Sequence, residues 1–153
     1  EGFDAGFATY IDSLAALEVR LARNGERPAA GVVYIAPNGS HLTLAAGRSS
    51  RLVDDGPIGG HRPSATPMFA SIAAVYGGAG LGVILTGIGR DGCDGLADLH
   101  RRGGRIVAQD EESSVVYGMP RAAVDAGLAH QILPVGEIAD AILQACARGR
   151  RAA

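Results

Sequence analysis

The sequence predicts an α/β fold of three layers, α/β/α, built on a mostly parallel, doubly wound sheet with a small appended hairpin. Three observations lead there. In the second half of the chain, apolar stretches of strand length alternate with stretches of helical period, which implies parallel pairing through right-handed crossovers. Residues 80–92 read G-L-G-V-I-L-T-G-I-G-R-D-G, apolar on both parities before breaking into glycines, as in a strand buried on both faces that ends in a sharp turn. Aromatics are only 5% of the residues, Trp is absent and Gly occurs 23 times, a composition that suits layered α/β packing better than an antiparallel sandwich.

At 153 residues and 47% hydrophobic side chains, the chain can bury the core of one domain. Residues 7–22 carry Phe7, Ile11, Leu14, Leu17 and Leu21 at helical steps, predicting an amphipathic helix stopped by Asn24-Gly25. Residues 32–36 predict a strand, ended by the turn Pro37-Asn38-Gly39. Residues 41–45 and 51–53 predict the hairpin. A polar loop over residues 54–64 precedes a helix with Pro67 in its first turn, running to about Tyr76. There follow a strand at 81–86, a helix at 93–102, a strand at 105–109 and a loop at 113–118. A helix from Pro120 through Ala126, a short strand at 130–133 and a closing helix at 137–147 complete the pattern.

Several classes are disfavoured. The net charge is −2 with no long basic run, so sequence-independent nucleic-acid binding is not expected. Arg148, Arg150 and Arg151 read as a solvated helix end. Cys93 and Cys146 are the only cysteines and have no metal-ligand spacing, so neither metal nor cofactor is expected, and a reducing cytoplasm fits. No segment reaches the ~18 apolar residues of a membrane span, so no membrane insertion is expected. The first residue is Glu1 rather than Met, which points to an upstream portion.

The glycine turn is the place to look for function, because ligands of open α/β sheets bind beyond the carboxyl ends of the strands. Gly87, Gly89 and Gly92 fit G-x-G-x-x-G, with Asp110 near the offset of a ribose-binding acid. Electrostatics opposes a dinucleotide: Asp91 and Asp94 would repel a pyrophosphate, and Arg90 is the one cation nearby. A second reading makes Asp91 the working group, anchored by glycine-turn N–H groups and ionised at neutral pH. It would orient a histidine, with the Ile88 and Gly89 N–H groups aimed at a developing oxyanion. In a third, Asp91 merely caps the following helix. Residue types alone leave the last two open.

L-T-G-I-G-R-D-G (85–92) and Q-D-E-E-S-S-V-V-Y-G-M-P (109–120) resemble the CheB-type chemotaxis methylesterase domain. So do V-Y-I-A-P (33–37), Ser40-His41-Leu42 and His61-Arg62-Pro63-Ser64, and the likeness covers nearly all of residues 1–153. It implies hydrolysis of glutamate methyl esters on a chemoreceptor or related signalling protein, releasing methanol, with glutamine deamidation in many members. It implies a Ser-His-Asp triad whose acid is Asp91. Ile88 takes the place of the family's usual Met, whose N–H serves the oxyanion hole. It places His61, Arg62, Ser114 and Met119 in loops around the substrate cleft, and it implies a cytoplasmic protein, often behind a receiver domain.

The family serine and histidine motifs are missing from these residues, and Glu1-Gly2-Phe3 resembles the segment directly after that histidine. The domain is therefore expected to lack its N-terminal strands, to leave strand 81–86 as an apolar edge, and to be inactive as this segment alone. A non-enzymatic CheB-like interaction domain is the alternative. Among the histidines, His100 is expected to face solvent, His130 to lie at the surface, and His41 to have no nucleophile around it. Ser113 and Ser114 lack a G-x-S-x-G elbow and read as loop residues, and Cys93 as a small helix residue.

Overall fold

The computed structural model describes residues 3–151. Glu1 and Gly2, and the side chains of Phe3, Arg148, Arg150 and Arg151, lie outside the described residues, and with them the expectations placed there. The elements run α1 (Phe3–Leu14), β1 (Glu18–Leu21), β2 (Val32–Ile35), β3 (His41–Leu44), β4 (Ser50–Val53) and α2 (Ala65–Tyr76). After a 3-10 turn (Gly77–Ala79) come β5 (Leu81–Ile84), α3 (Cys93–Arg101), β6 (Arg105–Gln109), α4 (Met119–Asp125), β7 (Gln131–Leu133) and α5 (Val135–Arg151).

The strands pair in three groups: β1 with β2 in parallel, β3 with β4 as the expected antiparallel hairpin, and β5-β6-β7 as a parallel sheet. In that sheet β6 is central, with Gly82 opposite Ile106 and Ala108 opposite Ile132. Successive side chains of a strand point to opposite faces. Ile106 and Ala108 join a core with Leu96 and Leu99 of α3, Phe69 and Ala73 of α2, and Ala123 of α4. Val107 is buried on the other face, where α5 packs and buries Ile138. Helices on both faces of parallel strands make this the expected α/β class.

Two expectations are corrected. The strand buried on both faces is β6, not the run at 81–86. β5 stops at Ile84, pairs among the described strands only with β6, and leaves Leu85 45% exposed. An unpaired edge buries one parity only, and Gly82 and Ile84 are its buried residues. The helix expected over residues 7–22 ends at Leu14, and Glu18–Leu21 is a strand. Leu17 and Leu21 imitate a helical step, but Val19 pairs with Val33, a contact local periodicity cannot see. Asp12 Oδ1 accepts the Val19 N–H at 2.7 Å and turns the chain into β1. The expected core stripe of α1 is correspondingly open, with Phe7 43% and Leu14 69% exposed, while Ala8 is buried.

Helices α2 and α3 cross closely at Gly95. An added Cβ there would fall against the Thr66 carbonyl oxygen, 2.9 Å from Phe69 Cβ and 3.1 Å from the Ala70 nitrogen. Two of these neighbours are backbone and cannot turn aside. Gly95→Ala therefore lowers stability by ~1–3 kcal/mol, as overpacking does. Gly136 of α5 has open space around its Cβ position, and Gly136→Ala raises stability by ~0.5–1 kcal/mol by removing backbone freedom from the unfolded chain. Denaturant midpoints measure both, and an unchanged midpoint for Gly95→Ala contradicts the packing.

Candidate active site

The site forms where the turn after β5 meets the start of α2. Ser64 has extended backbone angles (φ −117°, ψ 143°), and its Oγ accepts the Thr66 N–H at 3.1 Å, so it caps α2. The turn reaches α3 through Gly89 and Gly92, both with φ near +87° (87° and 86°), a region side-chain-bearing residues rarely adopt. Asp91 sits between them and does not cap α3, whose N-cap is Gly92 without a side-chain bond. Its carboxylate instead faces the start of α2. Oδ1 accepts from Ser64 Oγ at 2.6 Å and from Thr66 Oγ1 at 3.2 Å, and Oδ2 accepts from the Ala65 N–H at 2.8 Å. Thr66 Oγ1 in turn accepts the Gly92 N–H at 3.0 Å, which ties the turn to the helix.

The expected anchoring of Asp91 by glycine-turn amides is thus corrected: the anchor is the N-terminus of α2, whose free N–H groups and positive dipole end favour an anion. Burial pushes the Asp91 carboxyl up, but bonds from Ser64, Ala65 and Thr66, with the charge of nearby His61, outweigh it and hold the group below its ordinary value. It is ionised at neutral pH. A carboxylate has about four acceptor positions, and the three bonds use three of them, two on Oδ1 and one on Oδ2.

The preceding residues are stitched to a second loop. Buried Gln109 accepts the Thr86 N–H at 2.8 Å and donates from Nε2 to Ser113 O at 2.8 Å. Thr86 Oγ1 accepts the Val116 N–H at 2.8 Å, and Gly87 O accepts the N–H groups of Gly118 and Met119 at 3.1 and 2.9 Å. Gly118 is forced by this approach, because a Cβ there would lie 2.6 Å from Gly87 O. The Ile88 and Gly89 N–H groups are left without a protein acceptor among the described residues. Ile88 on this turn and Val115 on the paired loop are 78% and 90% exposed.

The other sequence candidates separate. His61 is exposed and shares no hydrogen bond with Asp91; its main chain closes a tight turn with Ile58. Arg62 is held by Asp54 at 3.1 Å and by Asp55 O at 3.3 Å. Ser114 donates to Asp110 O at 2.6 Å, a loop bond. Met119 packs beneath the turn, where its sulfur would lie 2.5 Å from a Cβ on Gly87. Asp110 closes its own loop by accepting from Ser113 N and Oγ, and Arg90 pairs with Asp94 at 3.0 Å, so neither is placed for a dinucleotide. Cys93 is a buried helix residue. His130 is exposed as expected, but His100 is half-buried against it, the ring centroids 5.0 Å apart.

Reading residues in isolation missed Thr66, Gln109 and His41 as parts of the site. His41 is buried, with Nδ1 accepting the Ser64 N–H and Nε2 donating to Gly56 O, both at 3.1 Å. The cap pattern Ser64-x-Thr66 was readable, but its carboxylate partner lies more than twenty residues away. Among the described residues no group of three or more His, Cys, Asp or Glu could hold a metal ion, and no helix is long and apolar enough to cross a membrane.

A lowered carboxyl value fixes the sign of a pH effect. The contribution of Asp91 to stability is full above the ordinary value of 3.8 and is lost as pH falls through the lower folded value. The stability gap between wild type and Asp91→Asn is therefore widest near neutrality and closes in acid. Equal gaps in denaturant midpoint at about pH 7 and about pH 2 would contradict this.

The sequence model of a family described as CheB methylesterase matches residues 1–142. A protein-glutamate methylesterase/protein-glutamine glutaminase 3 of Anaeromyxobacter dehalogenans is 51% identical over 140 residues, 91% of this chain and 41% of that protein. The protein-glutamate methylesterase FrzG of Myxococcus xanthus is 47% identical over 146 residues, 94% of this chain and 43% of that one. The chain thus spans about two fifths of the length of these curated relatives. The crystal structure of the Thermotoga maritima CheB methylesterase catalytic domain superposes with a TM-score of 0.90 at 35% identity, covering 94% of this chain and 77% of that one. The chain belongs to the CheB methylesterase family.

Proposed function

We propose that this chain is the acid-bearing part of a protein-glutamate methylesterase, in which Asp91 orients a histidine and the Ile88 and Gly89 N–H groups receive an oxyanion. The observation that carries this reading is the ionised Asp91 at the carboxyl end of β5. It is held by Ser64, Ala65 and Thr66, and shares its turn with two amides, of Ile88 and Gly89, that have no protein acceptor among the described residues. The substrate is a methyl-esterified glutamyl side chain on a chemoreceptor or related signalling protein, and exposed Ile88 and Val115 offer an uncharged ester apolar surface beside the turn. The same attack on a glutamine amide releases ammonia, in keeping with the glutaminase half of the relatives' name.

The serine and histidine come from residues outside these 153, arriving on strands that take up the open edge of β5. The serine hydroxyl attacks the ester carbonyl while the histidine takes its proton, with Asp91 stabilising the imidazolium. The carbonyl oxygen becomes an oxyanion facing the Ile88 and Gly89 amides. Collapse expels methoxide, which leaves as methanol with the histidine's proton. Water, deprotonated by the same histidine, then hydrolyses the acyl-serine to free glutamate. The enzyme is cytoplasmic and is gated by a receiver domain in the remaining length.

Asp91→Asn in the full-length protein lowers methanol release by about 10³–10⁴-fold, because a carboxylate that fixes an imidazole tautomer is lost, while the protein stays folded. The 153-residue segment alone releases none. Near-normal release by Asp91→Asn removes the assigned role and favours a non-enzymatic interaction domain. Measurable release by the segment alone contradicts an external serine and histidine.

A further inference from the structure

We infer that His41, at the start of the β3–β4 hairpin, is a positioning residue for Asp91 that acts through the backbone of Ser64. The inference rests on the role proposed for Asp91. His41 is 1% exposed, and both ring nitrogens have main-chain partners. A backbone N–H can only donate and a carbonyl can only accept, so these partners select one tautomer. Nδ1 accepts the Ser64 N–H at 3.1 Å, and the proton sits on Nε2 and goes to Gly56 O at 3.1 Å. The ring bridges the loop before α2 to the first residue of that helix's cap.

Ser64 is the residue on which Asp91 depends most. Its Oγ makes the shortest bond to the carboxylate, 2.6 Å, while accepting the Thr66 N–H, and the next two residues supply the other two bonds. Three consecutive residues therefore hold the acid, and His41 holds the first of them by its main chain. A packing residue alone would need no polar atoms here, and an imidazole buried with either nitrogen unpaired is destabilising. His41 is not a base for Ser64: Ser64 meets it with its amide, and the Ser64 hydroxyl points to Asp91. The hairpin is tied to α2 a second time by the Leu44 N–H bond to Ser71 Oγ at 3.0 Å, so it braces the helix end that carries the acid. Small misplacement of an orienting group lowers turnover without weakening substrate binding.

The test uses the full-length protein and a methyl-esterified chemoreceptor fragment, with turnover, KM and thermal unfolding read together. His41→Phe keeps the ring and removes both bonds; His41→Asn keeps an acceptor near Ser64; His41→Gln keeps a donor near Gly56. The expected result is a fall in kcat of about tenfold or more for His41→Phe and His41→Gln with KM within about twofold, and recovery to within about threefold of wild type for His41→Asn. In an Asp91→Asn background, His41→Phe should lower the residual turnover by less than about twofold, because residues acting as a unit are not additive. If His41→Phe does not fold, the Asn and Gln pair decides alone. Wild-type kcat in a folded His41→Phe or His41→Gln overturns the inference, as does His41→Asn falling as far as His41→Gln. Failure of Asp91→Asn to reduce turnover overturns the underlying reading instead.

Discussion

One carboxylate at one helix end organises this protein. Asp91 lies across the N-terminus of α2, and the bonds it accepts from Ser64, Ala65 and Thr66 join the turn after β5 to a helix that starts more than twenty residues earlier. The interaction is favourable twice over: the first amides of a helix have no internal partner, and the dipole end is positive. Hydrogen bonds to a charged group contribute roughly 1.5–3 kcal/mol each, more than neutral ones. The carboxylate remains ionised despite partial burial, and its direction is set by the helix rather than by the flexible glycines on either side.

The remaining architecture supports that placement. Gly95 lets α3 lie directly on α2 at Thr66, Phe69 and Ala70, so the helix end that holds the acid is packed against its neighbour. Gln109, at the end of the central strand, fixes Thr86 and with it the register of the turn against residues 113–119. The hairpin, which looks like an appendage in the topology, reaches α2 through His41 and through Leu44. A parallel sheet supplies the rigid floor; three separate loops and one helix cap supply the site, as is usual where function sits on loops held by a scaffold.

Much of this was readable from residues in order. The helix at 93–102, the strand at 105–109, the hairpin and the closing helix have strong periods or turn signals, and they are found within a few residues of where the pattern puts them. The position of Asp91, in a glycine turn after a strand, was legible as well. What was not readable is non-local. Glu18–Leu21 is a strand only because Val33 lies beside Val19. The acid's partners are hydroxyls and an amide from a distant cap, and local sequence offered its own glycine turn as the nearer donor. His41 showed no nucleophile near it in sequence, and its role depends on two main-chain groups that the fold brings to its ring.

In the full-length protein Asp91 is expected to bond an imidazole N–H. Proton NMR of that protein reads it directly, since a ring proton held by a carboxylate resonates far downfield and exchanges slowly. Such a resonance is expected in the wild type, and its loss in a folded Asp91→Asn variant. A wild-type spectrum without it, or a resonance unchanged by Asp91→Asn, would mean that Asp91 holds no imidazole.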